Sequence, residues 1–251
     1  MKLIESLKAS RDKIMAQPKG ERFSYFWDYY KWPAIIAVVL VIALIQTTIM
    51  IVNRKETVFT AYVLNTTATT KDEAFLQGFF DYAGLDSEKM EAAIYTDMYL
   101  HPGQRQKNAE VFQRIMAGIA INDADIIVGQ EDPFRMCAYN TSRIFLDLRE
   151  FLDPDTLEKF SDRLYYIDGA IVEKLSAPVG ESVNTAGIIY PNPSKPELME
   201  DPIPVGLAVS DREGLRSSYY YDPDTVLYMG VIVNTQKPEL AKQFIAYLFS
   251  E

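Results

Sequence analysis

His101 and Cys137 are the only histidine and the only cysteine in the 251-residue chain. Imidazole and thiolate are the side chains that most readily act as base and nucleophile near neutral pH. Neither stands where such chemistry needs it. His101 lies in YLHPGQ (99–104), a Pro-Gly turn in which a histidine reads as a solvated turn residue. Cys137 sits in the amphipathic helical pattern FRMCAY (134–139) and reads as a small buried hydrophobe. One cysteine makes no internal disulfide, and one histidine makes no His-rich metal site. Three Asp-x-Asp pairs, Asp123/Asp125, Asp153/Asp155 and Asp222/Asp224, offer neighbouring carboxylates. None continues into the Asp/Asn, Gly and terminal Glu spacing of a calcium loop. Asp153-Pro154 precedes a helical pattern and reads as an N-cap. The chain holds no P-loop, GxGxxG, HExxH or CxxC motif. The expectation is a non-enzyme, with no catalytic residues, no metal and no cofactor.

Binding chemistry is the remaining option, and it depends on the elements that would position it. TVFTAYVLN (57–65) reads as a strand and KDEAFLQGFFDYAGL (71–85) as a helix with Gly84 as its C-cap. AAIYTDMYL (92–100) reads as a second strand, AEVFQRIMAGIAI (109–121) as a helix, and ADIIVGQ (124–130) as a buried strand. A helix is expected over 132–139. Residues 145–175 read as helix and loop, and YPNPSKPELMEDP (190–202) as an exposed loop. IPVGLAVS (203–210) and TVLYMGVIVN (225–234) read as strands, and KPELAKQFIAYLFSE as a closing helix. The order βαβαβα predicts an α/β fold, a three-layer sandwich on a parallel sheet.

Ligands of open parallel sheets bind at the carboxyl ends of strands. That rule selects Asn65 and Thr66 after the first strand, Tyr99 and His101 after the second, and Gly129 and Gln130 after the third. Asn and Gln both donate and accept, Tyr stacks, and Gly lets a ligand approach the backbone. Tyr219–Tyr221 and Tyr228 form a local concentration among 16 tyrosines. They read first as strand-edge packing, and alternatively as a stacking or interface surface, with Tyr228 as a ligand candidate. Asn65-Thr66-Thr67 and Asn140-Thr141-Ser142 match the glycosylation sequon, which has meaning only in a eukaryotic secretory host.

A net charge of −10 argues against coating nucleic acid, whose phosphates call for clustered Lys and Arg. The average conceals a strong polarity. From Pro33 to Val52 the chain runs PAIIAVVLVIALIQTTIMIV without a charge, and twenty helical residues span about 30 Å, the thickness of a hydrocarbon core. The run is too long for a signal peptide, thirty-two residues precede it, and no Ala-x-Ala site follows. It is expected to be an uncleaved anchor. Residues 1–32 carry seven basic and four acidic side chains, a net of +3, and the remainder carries 18 and 31, a net of −13. The positive-inside rule then places the N-terminus in the cytoplasm and the C-terminal domain outside the cell membrane. FSYFWDYYKW (23–32) reads as an interfacial belt, with Trp27, Tyr29, Tyr30 and Trp32 at the headgroups. Residues 2–15 read as a short basic amphipathic helix, lying on anionic lipid or contacting a cytoplasmic protein. The expected organisation is a cytoplasmic segment (1–32), a transmembrane helix (33–52), a linker (53–56) and an extracytoplasmic α/β domain (57–251).

ADIIVGQEDPFRMCAYNTSRIFLDLREFLDPDTLEKF and GVIVNTQKPELAKQFIAYLFSE resemble passages of the extracytoplasmic solute-binding proteins of bacterial ABC importers. There a strand of the "aDiv-g" type is followed by a helix and an "fldL-e-l" segment, and the chain closes with a return strand and a packing helix. The FWDYYKW segment resembles that of membrane-anchored proteins of Gram-positive bacteria. The resemblance implies one lobe of a periplasmic-binding-protein fold, a small polar solute such as a sugar or peptide, and a membrane partner such as a transporter permease. The family's second lobe would have to come from 145–225, a small stretch for a domain. An accessory or protein-interaction subunit built on a degenerate binding fold is the alternative.

Overall fold

A computed structural model describes residues 11–13, 15, 16, 18, 20, 22–140, 143–176 and 187–250. The basic helix expected at 2–15 lies largely outside them, as does part of the Asn140 sequon. The chain divides into two units, Met1–Arg54 and Lys55–Glu251.

The first unit is built on helix α1 (Arg22–Val52), which is 31 residues long and about 46 Å at 1.5 Å per residue. Its Lys31–Val52 part is long and apolar enough to cross a membrane. Apolar side chains such as Ile36, Leu40, Leu44 and Ile51 are exposed around the whole helix. That surface is unfavourable in water and suits the apolar interior of a bilayer. The hydroxyls of Thr47 and Thr48 donate to the carbonyls of Ala43 and Leu44 at 2.8 Å, so neither is left unpaired. Trp27 and Trp32 are exposed on this helix, and Tyr29 and Tyr30 lie on it as well.

Among the described residues the second unit carries six strands: β1 (Glu56–Val63), β2 (Met90–Tyr95), β3 (Ile126–Gln130), β4 (Leu164–Asp168), β5 (Pro202–Ala208) and β6 (Leu227–Val231). They form one sheet in the order β2-β1-β3-β6-β5-β4. β1 pairs in parallel with β2 and β3, as two βαβ crossovers require. The crossovers run through α2 (Asp72–Ala83) and α3 (Arg105–Ala120). Gly84 ends α2 at φ 67°, the left-handed cap that glycine takes without steric cost.

The expectation of a parallel sheet fails beyond β3. β6 lies antiparallel to β3, β5 to β6 and β4 to β5, so the sheet is mixed. A strand buried on both faces shows the same apolar run whichever way it points, which is why β6 gave no sign of its direction. Residues 145–225 do not stand apart as a second lobe. They supply β4 and β5 to the same sheet, in the same compact unit. The second strand is also shorter than expected, ending at Tyr95 and leaving 96–100 irregular.

Alternation along the strands divides the core. Phe59, Ala61 and Val63 join Phe75 and Phe79 of α2 and Phe244, Ile245 and Leu248 of α9 (Pro238–Leu248). Tyr62, Leu64 and Ile127 join Ile115 of α3 and Phe134 and Cys137 of α4 (Glu131–Ala138). Shorter α-helices among the described residues are α5 (Leu148–Phe151), α6 (Pro154–Lys159), α7 (Gly169–Leu175) and α8 (Glu213–Ser218). Asp153 caps α6 by accepting from Thr156 N at 3.0 Å, the role its Asp-Pro context predicts.

Candidate functional site

The carboxyl ends of β1, β2 and β3 lie at one end of the sheet, and the chain treats them differently. Asn65 follows β1 in a left-handed conformation, φ 56°. Its amide clasps Leu100, donating to the carbonyl and accepting from the nitrogen, both at 2.8 Å. Thr66 is buried, and its hydroxyl donates to Tyr220 O at 2.8 Å. Tyr99 OH donates to Thr66 O at 3.0 Å and stacks on His101 with ring centres 6.4 Å apart. His101 is bracketed by Asn108, whose side chain bonds both its nitrogen and its carbonyl. The structure thus brings Asn65, Thr66, Tyr99 and His101 together, and the polar groups of the first two are engaged by the protein itself.

A second seam seals the same region. Residues 66–69 run antiparallel to 218–220, with Tyr220 N bonded to Thr67 O and Thr69 N to Ser218 O. Tyr219 and Tyr221 point inward, and Tyr221 OH reaches Leu64 O at 2.7 Å. This is the packing reading of the tyrosine cluster.

The end of β3 is open. Gly129 pairs with Tyr228 of β6, and a side chain at 129 would press on Leu64. Gln130 is half-buried and leads directly into α4. Beside them a groove of about 430 Å³ is walled by Glu131, Arg135, Tyr190, Asn192, Ser194 and Tyr228. A second concavity of about 310 Å³, lined by Phe112, Met136, Tyr139 and Leu175, shares Arg135 and Tyr190 with it. Arg135 bonds Glu131 at 3.2 Å and also Asp132, and lies 5.8 Å above the Tyr190 ring. Tyr190 packs on Tyr139 at 4.5 Å, and Tyr139 OH accepts from Asp168 N at 3.0 Å. Pro193 O receives Tyr166 N at 2.9 Å, which ties the 190–194 loop to the edge of β4. Of the sequence candidates only Tyr228 lines this groove. Arg135, Glu131, Tyr190 and Asn192 were missed, although 190–202 is marked as an exposed loop by its Pro, Asn and Ser content.

No known protein family, characterised protein or solved structure matches the chain.

The groove offers an aromatic platform, a fixed guanidinium, a carboxylate and an amide, which suit recognition by hydrogen bonding and stacking. Among the described residues no group of three His, Cys, Asp or Glu side chains is placed to hold a metal ion. Burial pushes the Cys137 thiol up to about 12, so it stays protonated and inert at neutral pH.

Burial also raises the phenols of Tyr62, Tyr165, Tyr219, Tyr221 and Tyr228, Tyr62 to about 12, because the phenolate is poorly solvated inside. A phenol raised in the folded state contributes stability that is complete below its unfolded value, about 10. That stability is lost as pH climbs through the folded value. An alkaline titration followed by tyrosinate absorbance and circular dichroism should therefore show these tyrosines ionising together with loss of fold between about pH 10 and 12. Ionisation of all the tyrosines with a midpoint near pH 10, roughly the free-tyrosine value, and with the fold intact would contradict this.

Proposed function

We propose that the protein is a single-pass, membrane-tethered, non-catalytic recognition module, with its N-terminus in the cytoplasm and its α/β domain outside the cell membrane. On this reading the domain is a reduced, three-layer relative of one lobe of the solute-binding fold. β3, α4, the return strand β6 and the closing helix α9 are the parts that carry the likeness. It acts as an accessory subunit that engages a membrane-protein partner through the Tyr190–Arg135 groove.

One observation carries the preference for a partner over a captured solute. Residues 55–251 form a single compact unit with no second lobe to close over the groove that α4 and the 190–194 loop wall. Solute pockets usually enclose about 70–90% of a ligand's surface, whereas a groove without a closing lobe suits a segment of another protein. A photo-crosslinker at Asn192 in living cells should capture one membrane protein, and Tyr190→Ala and Arg135→Ala should abolish the adduct without unfolding the domain. A sugar or oligopeptide that stabilises the wild-type chain but not Tyr190→Ala would replace this reading with solute capture.

The anchor has its own test, because both tryptophans of the chain, Trp27 and Trp32, lie in the first unit. Tryptophan fluorescence of the full chain in vesicles thus reports the interfacial segment alone. Lipids brominated close to the headgroup should quench it more strongly than lipids brominated at the acyl terminus. Equal, weak quenching by both would remove the belt from the interface.

A further inference from the structure

A cavity of about 240 Å³ lies at the other end of the sheet, past the carboxyl ends of β4 and β6. Its floor is apolar, formed by Phe145, Ile167, Val172 and Val205, all buried, with Ile203 beside them. Its mouth is charged, carrying Arg143, Asp147 and Glu150. Asp147 is already saturated. It caps α5 through Arg149 N at 2.9 Å and grips the Arg149 guanidinium at 2.6 and 3.0 Å. Arg143 and Glu150 are exposed, and neither forms an ion pair with a described residue.

Arg143 also occupies a costly backbone position. Its φ is 47°, in the left-handed region where glycine fits with less strain. The residues after it are fixed, since Val233 N bonds Ile144 O and Leu146 N bonds Val231 O, both at 2.9 Å. A long cationic side chain is therefore held at the rim of an apolar cavity by a rigid flank, against a local backbone preference. Non-glycine residues held in this way concentrate where a side chain is used.

We propose that this cavity binds a free α-amino acid with an apolar side chain. The size decides for a small ligand, because pockets for drug-sized molecules run to roughly 300–1,000 Å³. The floor offers no hydrogen-bonding side chain, so it accepts an aliphatic or aromatic group and penalises a polar one. The two charges at the mouth, unpaired among the described residues, complement a zwitterion: the Arg143 guanidinium takes the α-carboxylate and Glu150 takes the α-ammonium. A hydrocarbon would leave both charges unused, and a simple acid or amine would satisfy only one. This site is separate from the Tyr190–Arg135 groove and does not depend on its function.

Titration calorimetry on the full chain in nanodiscs tests the assignment with L-leucine and L-phenylalanine. Each should bind saturably and raise the melting temperature. 4-Methylpentanoate, which lacks the ammonium, and 3-methylbutylamine, which lacks the carboxylate, should bind about tenfold to a hundredfold more weakly, as should serine and glutamate. Arg143→Gly and Glu150→Gln should each weaken leucine binding by a similar factor while leaving the fold intact, and Ala138→Leu should fill the cavity and abolish binding. If Ala138→Leu does not fold, the two exposed variants carry the test. Tyr190→Ala should leave leucine binding unchanged, which separates this site from the groove. Three results would each overturn the proposal: no binding of either amino acid, equal binding of the one-charge analogues, or full binding by both Arg143→Gly and Glu150→Gln.

Discussion

Replacing Asp125 with alanine should lower the stability of the domain by about 3–5 kcal/mol. For a domain of this size that is a fall in melting temperature of roughly 6–20 °C. Asp125 is almost fully buried, 1% exposed, just before β3. Its carboxylate accepts from the backbone nitrogen of Thr60 in β1 at 2.8 Å and from the hydroxyl of Thr235 at 2.5 Å. Lys237 Nζ stands 3.8 Å away. The backbone joins in, with Asp125 N bonded to Thr60 O and Ile232 N to Asp125 O. One side chain thus links β1 to the turn between β6 and α9, across three neighbouring strands.

Alanine would leave the buried Thr60 nitrogen without an acceptor and Lys237 without its counter-charge. The first loss dominates, because Lys237 is partly exposed and its attraction is screened. Asp125→Asn keeps an oxygen for Thr60 N and should cost about half as much. Urea unfolding of the wild-type and both variants measures the difference. An Asp125→Ala protein melting within about 2 °C of wild type would show that the carboxylate carries little of the fold's stability.

Asp125 belongs to an Asp-x-Asp pair, and its partner Asp123 accepts from the Thr60 hydroxyl at 3.1 Å. The sequence exposes the pair and excludes a calcium loop, but not the threonine it grips, which lies more than sixty positions earlier. The same limit applies to Asn65 and Thr66. Their place after β1 follows from the alternating pattern of 57–65, yet their partners Leu100 and Tyr220 are distant in sequence. Polar side chains at a strand end therefore read as ligand groups until the partner is visible. Helices were legible for the opposite reason: Phe75 and Phe79, Ile115 and Ile119, and Phe244 and Leu248 repeat within one element. β4 escaped because its Leu-Tyr-Tyr-Ile-Asp run is short and directly joined to α7. Arg135 and Tyr190 escaped because the groove exists only once α4 and the 190–194 loop meet.

The second large effect is expected at Gly230, the penultimate residue of β6. A β-carbon there would lie 2.7 Å from Phe145 Cδ1 and 2.9 Å from the Val205 carbonyl oxygen. The carbonyl belongs to a hydrogen-bonded neighbouring strand and cannot retreat without disturbing the sheet. Gly206 on β5 gives Phe134 the same kind of room, with a β-carbon there 2.6 Å from its ring. The two rings stack at 4.8 Å and 12°, beside the glycines. Elsewhere in a strand, alanine in place of glycine is favourable by about 0.5–1 kcal/mol. Here Gly230→Ala should cost about 3 kcal/mol, the upper part of the range for overpacking. Phe145→Leu, destabilising alone, should partly rescue Gly230→Ala, giving a coupling energy of about 1–3 kcal/mol in a double-mutant cycle. Strict additivity would show that the strain resides in the Val205 carbonyl and not in the ring. The cycle bears on both binding sites, because Phe145 lines the floor of the cavity and Phe134 seats the helix that carries Glu131 and Arg135. Displacing the stack should therefore weaken leucine binding and crosslinking at Asn192 together, whereas Arg143→Gly affects only the first.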